Sequence, residues 1–381
     1  MSEQILPKGG AVLEHLPLTT PLESAAVLRK LVHTHRRLGE LRGFCAILGA
    51  EHLSPLMPRL QILSDLFIRQ EALDSLAIEG VRATYARLLE SELLGKGGRS
   101  QDEERIAAAM RAMRRGVAIV RKEGGRLGKE HLLQLQTQLA PEQRGWRETP
   151  GMVVKNMKTD ETVYAPPQSP QEIEALVNNL LQFMQDDRMA NWDPLVKFAV
   201  LHHQFECIRP FMAANGRMGR VLNLLYLMQK DLLNAPLLLL SGYLRQRREE
   251  YYRLLRHSRW QTGWEEWLLY MLDGVEDSAR YSSILIWNII SLMVKYDRRL
   301  KRQWPKIASA SLLHNLFAHP YTNIDLLMRD LNISRLTAAK YLRLLSSGER
   351  PLLTLQRVGR NNFYINRPLV ALFARRKDMG A

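Results

Sequence analysis

Cysteine is nearly absent from this chain. Its 381 residues include only Cys45 and Cys207, too few for a disulfide framework or a thiolate metal site, and both are expected to be small buried hydrophobes. Long apolar runs are missing as well. Leu222 to Met228 and Leu237 to Leu240 are parted by Gln229, Lys230 and Asp231, which leaves no stretch long enough to cross a bilayer. The start, with Glu3 and Lys8 around a short apolar stretch, lacks the pattern of a signal peptide. A cytoplasmic protein with no membrane partner is expected. Acidic residues are scarce near the end: residues 295–381 hold 17 Lys and Arg against 5 Asp and Glu, so +12 of the formal +15 lies there. Clustered cations gain counterion-release free energy only against a polyanion. Nucleic acid is therefore one expected partner for that segment, and a basic surface with no partner is the alternative.

With 46% hydrophobic residues, a chain of this length can bury a substantial core and should divide into roughly two or three domains. From Pro21 to about Leu94 apolar residues recur three and four apart, as in Leu28, Leu31, Val32 and again Leu60, Leu63, Leu66, Phe67, the spacing of helices. Pro55 and Pro58 interrupt it and mark a helix start. Gly95 to Ser100 is a polar break, Gln101 to Arg121 resumes a helix, and Pro141 to Pro150 is a connector. The piece Met152 to Ala165 differs: Val153, Val154, Thr162, Val163 and Tyr164 favour extended backbone about a turn at Lys158 to Glu161, which predicts a lone β-hairpin. Pro166, Pro167 and Pro170 close it and launch a helix through Ile173, Leu176 and Leu180. A second helix runs from Pro194 to about Phe205, and a third leaves through Val221, Leu222 and Leu225.

Between these last two helices lies F-E-C-I-R-P-F-M-A-A-N-G-R-M-G-R, Phe205 to Arg220. A helix leaving a loop turns its first amides toward that loop, a favourable place for an anion. Gly216 and Gly219 permit close backbone approach, Asn215 tolerates the left-handed conformation, and Arg217 and Arg220 offer guanidinium forks for polyphosphate. By itself N-G-R-x-x-R is a weak signal.

The longer run L-H-H-Q-F-E-C-I-R-P-F-M-A-A-N-G-R-M-G-R resembles the Fic family, whose loop reads H-P-F-x-[D/E]-G-N-G-R-x-x-R after a helix ending in F-E-x-I. Ser75 to Gly80, S-L-A-I-E-G, is similar to the family's inhibitory helix. The hairpin 152–165 falls where the family docks target proteins, and Tyr251-Tyr252 lies in a segment similar to the helix flanking the nucleotide. The resemblance implies a mainly α fold: a Fic-fold helical bundle with a small β-hairpin flap. It also implies transfer of AMP from Mg-ATP to a Ser, Thr or Tyr hydroxyl of a target, restrained by Ser75 and Glu79, with Asn215, Gly216, Arg217, Gly219, Arg220 and Tyr251 holding the nucleotide and Glu79 pairing with Arg220.

The chain departs from that pattern where the chemistry lies. Arg209 stands at the position of the family's general-base histidine, and guanidinium stays protonated with no lone pair to offer. The roughly 100-fold to 10,000-fold gain of base catalysis should then be absent. Ala213 stands at the acidic Mg²⁺-holding position and has no oxygen for a hard cation. Ala214 replaces a glycine, so a positive φ there would be strained. Arg209 itself either binds phosphates in place of the metal or points to solvent. His202 and His203 lie around 10 Å back along the helix, and they and Glu206 read as packing residues.

After a helical stretch from Glu276 to about Lys301, Tyr321-Thr322-Asn323 precedes a short helix. Asn332-Ile333-Ser334 then turns into another through Ala338, Tyr341, Leu342 and Leu345, with Ser334 as N-cap. Leu352 to Ile365 alternates about Gly359 to Asn362 as a two-stranded wing. The segment resembles a winged helix-turn-helix domain, which implies DNA contact by Arg335, Thr337, Lys340, Arg343, Arg357 and Arg360; protein docking is the other use of such domains.

The expected organisation is an N-terminal tail at 1–20, a helical region with the inhibitory helix at 21–100, a Fic core at 101–275, a connecting helix at 276–304 and a winged helix at 305–381. Two functions compete. One is a catalytically impaired nucleotide-binding regulator that uses DNA, with ATP as ligand, no metal site and the option of a homodimer; the other is a protein adenylyltransferase auto-inhibited by Glu79.

Overall fold

The computed structural model describes residues 13–49, 58–94, 100–122, 124–155, 160–258, 263–358 and 361–374. Among these are fifteen α-helices and five short strands. In chain order they are α1 (Ala25–Gly49), α2 (Leu60–Ile78), α3 (Tyr85–Leu94), α4 (Gln101–Lys122), α5 (Lys129–Leu139), β1 (Val154–Lys155), β2 (Thr162–Tyr164), α6 (Pro170–Gln185), α7 (Pro194–Ile208), α8 (Asn215–Gln229), α9 (Leu240–Gln246), α10 (Arg248–His257), α11 (Trp264–Gln303), α12 (Ala310–Ala318), β3 (Tyr321–Thr322), α13 (Ile324–Leu331), α14 (Arg335–Leu345), β4 (Thr354–Val358), β5 (Asn361–Ile365) and α15 (Arg367–Ala374). No helix among the described residues is long and apolar enough to cross a membrane. The hairpin expected at 152–165 forms, β1 against β2 antiparallel; residues 156–159 of its turn lie outside the described residues.

The chain divides into two compact units that interleave along the sequence. The first comprises Met1–Arg36, Ala107–Leu233 and Tyr243–Glu276. Its centre is α6, α7 and α8, each packed on the next. Proline at N1 and a side-chain cap start α6 and α7: Ser169 accepts from the Glu172 amide, Asp193 from the Leu195 amide at 2.8 Å, satisfying amides that have no partner within the helix. Asp193 also meets His35 Nε2 at 2.8 Å, tying α1 to α7, and that hydrogen bond raises the His35 pKa above the usual histidine value. On α4, Gly116 leaves room for Leu225 of α8, whose Cδ1 would lie 2.6 Å from an added Cβ. A helix-interior glycine is tolerated there because it lets two helices approach.

The second unit comprises Arg37–Ile106, Asn234–Gly242 and Asp277–Ala381. Here α2 is buried along most of its length, and α12 packs on it. Phe373 of α15 stacks on Tyr85 of α3 with centroids 4.9 Å apart and meets Phe67 of α2 edge-on at 6.2 Å. Buried charges are paired: Arg69 with Glu92 at 3.0 Å, and Glu71 with the amide and hydroxyl of Ser241 at 3.0 and 2.6 Å. In α12 to β5 the antiparallel strand order is β3-β5-β4, a helix, a short strand, a helix-turn-helix pair and a hairpin. Asn323 and Ser334 cap α13 and α14, the latter as the sequence predicts, and Asn332 turns between them at φ 52. Helices α1, α4, α9 and α11 contribute residues to both units.

Candidate functional site

The loop between α7 and α8 is fixed at both ends by residues in the left-handed region. Arg209 ends α7 at φ 47, ψ 62, its amide donating to the Phe205 carbonyl at 3.1 Å. Ala214 opens α8 at φ 64, ψ 20. Each departure costs a non-glycine residue roughly 1–2 kcal/mol, so the surrounding bonds must hold it. Asn215 supplies two: its Oδ1 accepts from the Phe211 amide at 2.9 Å and its Nδ2 donates to the Phe211 carbonyl at 2.7 Å. The sequence reading is corrected here, since Asn215 is the first helical residue and Ala214 takes the left-handed turn. The Asn215 amide is spent on closing the loop.

The carbonyls at the end of α7 have no helical partners, and two residues outside the helix satisfy them. Tyr164 of β2 donates to the Cys207 carbonyl at 3.0 Å, which pins the hairpin. Arg147, 1% exposed, donates from Nε to the Arg209 carbonyl at 3.2 Å, from a terminal nitrogen to the Ile208 carbonyl at 3.3 Å and also to Pro167, and from its backbone amide to the Pro210 carbonyl at 2.8 Å. Burial, joined by the like charge of Arg209, lowers its pKa from the usual arginine value. Beside it Trp146 stacks on Phe211 at 4.8 Å. Sequence reasoning passed over Arg147 as connector; the adjacent tryptophan, out of place in a polar loop, was the available signal.

The Arg209 guanidinium turns back to Glu206, 3.7 Å away and 2% exposed. The Arg209 side chain is 24% exposed and has Glu206 as a counter-charge. Glu206 lies against Gly219, whose added Cβ would stand 3.1 Å from Glu206 Oε1 and 3.2 Å from Phe205, so the bare side of Gly219 is filled by α7. Behind α7 is an aromatic layer. His202 Nε2 meets the Tyr251 hydroxyl at 3.0 Å and its ring stacks on Trp267, while His203 packs against Trp264 and Trp267. Burial, against the opposing pull of Glu206, drives the His202 pKa down to about 4, and it raises that of Tyr251 well above the phenol range. Both histidines are packing residues, as expected. Tyr251, expected beside a nucleotide, is buried with its hydroxyl on His202.

Arg217 and Arg220 are buried, and Arg217 donates to the Leu139 carbonyl at the end of α5 at 3.0 Å. Gly216 is half-buried in the first turn of α8, and Ala213 is half-buried in the loop. In the second unit, Ser75 is buried and Glu79 forms the C-cap of α2. The Gly80 amide donates to the Ala77 carbonyl and the Val81 amide to that of Leu76, with Gly80 at φ 89, the Schellman ending that glycine favours. Glu79 pairs with Arg105 of α4 at 3.5 Å.

On the C-terminal module, Arg335, Lys340 and Arg343 of α14 and Arg357 of β4 are exposed. Arg335 is held by Asp325 of α13 at 3.0 Å. The Thr337 hydroxyl lies 2.9 Å from the Ser334 hydroxyl and its amide donates to the same oxygen, so Thr337 serves the helix cap. Arg360 lies outside the described residues.

This geometry has counterparts. Residues 126–227, which contain β1 to α7, the whole loop and most of α8, match the model of the Fic/DOC family, and residues 28–118 match that of the Fic/DOC family N-terminal region. This is a Fic domain protein. Residues 292–369 match the C-terminal domain of protein adenylyltransferase SoFic-like proteins. Among solved structures, a Fic family protein from Desulfovibrio desulfuricans G20 has a TM-score of 0.54 at 20% identity, over 91% of this chain and 98% of that one. A Fic domain containing signaling protein from Bacteroides thetaiotaomicron VPI-5482 has a TM-score of 0.53 at 18% identity, over 67% and 97%. At these identities the structures establish the fold of the Fic domain protein, which is mainly helical with its small hairpin.

Proposed function

We propose that this Fic domain protein is a cytoplasmic nucleotide-binding regulator that has lost AMP transfer, and that its C-terminal module is a winged helix that binds DNA. Arg209 carries this reading. It occupies the place of the general base and faces Glu206 at 3.7 Å, and a guanidinium accepts no proton from an attacking hydroxyl. Ala213 offers a methyl group where a hard cation needs oxygen, so Mg²⁺ does not fit this loop. A polyphosphate fits better. No side chain caps α8, which leaves the first amides of a 15-residue helix for an anion, and two buried arginines stand in its first two turns. Glu79 has a partner of its own in Arg105, and its restraining role is part of the proposal.

The second reading, a protein adenylyltransferase auto-inhibited by Glu79 and docking its target on the hairpin, is favoured by the match of residues 292–369 to a domain of such proteins. Labelled ATP, Mg²⁺ and a cell lysate decide between them when Glu79→Gly is included. We expect no transfer of label from either form. Transfer that depends on Arg217 overturns the regulator. Restored labelling in Arg209→His/Ala213→Asp/Ala214→Gly identifies the missing groups as the cause. For the DNA role, a duplex should be shifted in a salt-dependent manner, and the shift should vanish when Arg335 and Lys340 become Glu.

A further inference from the structure

The most exposed large apolar side chain among the described residues is Leu336, at 85%. It is the second residue of α14, next to Arg335 and Thr337. At that exposure the isobutyl group contributes almost nothing to the core, and it leaves apolar surface in water. Its setting is basic. Lys340 and Arg343 follow it at i+4 and i+7, both exposed, so the three form one stripe along the helix, with the leucine at the N-terminal tip and the cations behind it. Among the described residues neither Lys340 nor Arg343 has an ion-pair partner. The flanking side chains are already engaged: Arg335 with Asp325 and Thr337 with Ser334. Leu336 is thus the uncommitted group at the tip.

In helix-turn-helix docking the N-terminal residues of the second helix reach the base edges in the major groove. The only apolar feature displayed there is the C5-methyl group of thymine. A cationic stripe selects a polyanion over an apolar protein surface, and an apolar tip at its head suits that methyl group. We propose that Leu336 is a specificity-determining residue that packs on a thymine methyl, so that the module prefers a site with thymine at one fixed position. This rests on the winged-helix reading above.

Duplexes selected by the full-length protein from a randomised pool supply the test. Each selected thymine is replaced in turn by uracil, which removes one methyl group and nothing else. At one position the change is expected to weaken binding by about fourfold, the ratio given by burial of one methyl group. Leu336→Ala should bind both duplexes equally, and its melting temperature should match the parent's because the side chain is exposed. Uracil changes without effect, or with equal effect in Leu336→Ala, overturn the role of Leu336 while leaving DNA binding in place. No salt-sensitive binding of any duplex overturns the DNA reading itself, and the proposal with it.

Discussion

At the scale of single residues, α7, which leads into the loop, is packed by buried polar side chains. His202 is the clearest. It is buried between Tyr251 and Trp267 with a pKa near 4, far below the 6.5 of an unfolded chain. Between those values the unfolded state binds the proton and the folded state does not, so stability is fully present above about pH 6.5 and is lost as pH falls toward 4. The loss is on the order of 2–3 kcal/mol. Thermal melting between pH 7 and 4 checks this, and His202→Gln should melt lower at pH 7 yet show a shallower fall. A slope unchanged by the substitution would assign the acid sensitivity to other groups. The packing role of His202 was legible in the sequence because its distance from Arg209 along one helix excludes it from the loop. The left-handed Ala214 was foreseeable only as a conditional strain, since a φ angle depends on what pulls the two helices together.

At the scale of elements, caps and prolines announced most boundaries. Pro170, Pro194 and Ser334 start their helices as local rules predict. The brace across the loop was not announced. Arg147 serves carbonyls about 60 positions away, and no local pattern encodes a partner so distant. Arg147→Ala leaves the carbonyls of Ile208 and Arg209 without those donors, which should cost about 2–4 kcal/mol, and hydrogen exchange should quicken at the end of α7 and in the Pro210–Ala214 turn. If protection there is unchanged, the loop is held by Asn215 and Tyr164 alone. The Glu79–Arg105 pair joins residues 26 positions apart and was likewise not announced by any local pattern.

At the scale of the molecule, the basic C-terminal module is not an appendage. Phe373 near its end stacks on Tyr85 and touches Phe67, so the N-terminal helices α2 and α3 complete their core with residues far along the chain. The helical N-terminus and the helix-turn-helix pattern were each readable locally, whereas their union needs contacts across almost the whole sequence. Phe373→Ala should cost about 3–5 kcal/mol and lower exchange protection in α2 and α3 while sparing α7 and α8. Loss confined to α15 would mean that the module stands alone.

The closure of the loop by Asn215 also bears on chemical ageing. An asparagine followed by glycine is a sequence prone to deamidation, because a bare neighbour lets the next backbone nitrogen attack the side-chain carbonyl. Here that carbonyl is bound to the Phe211 amide, its NH₂ to the Phe211 carbonyl, and Gly216 lies in the first turn of a helix. The geometry of attack is withheld while the fold persists. Every excursion to the unfolded state releases it, and an aspartate formed at 215 could no longer donate to Phe211, so a molecule damaged in that way would carry a lasting defect in the turn that joins α7 to α8.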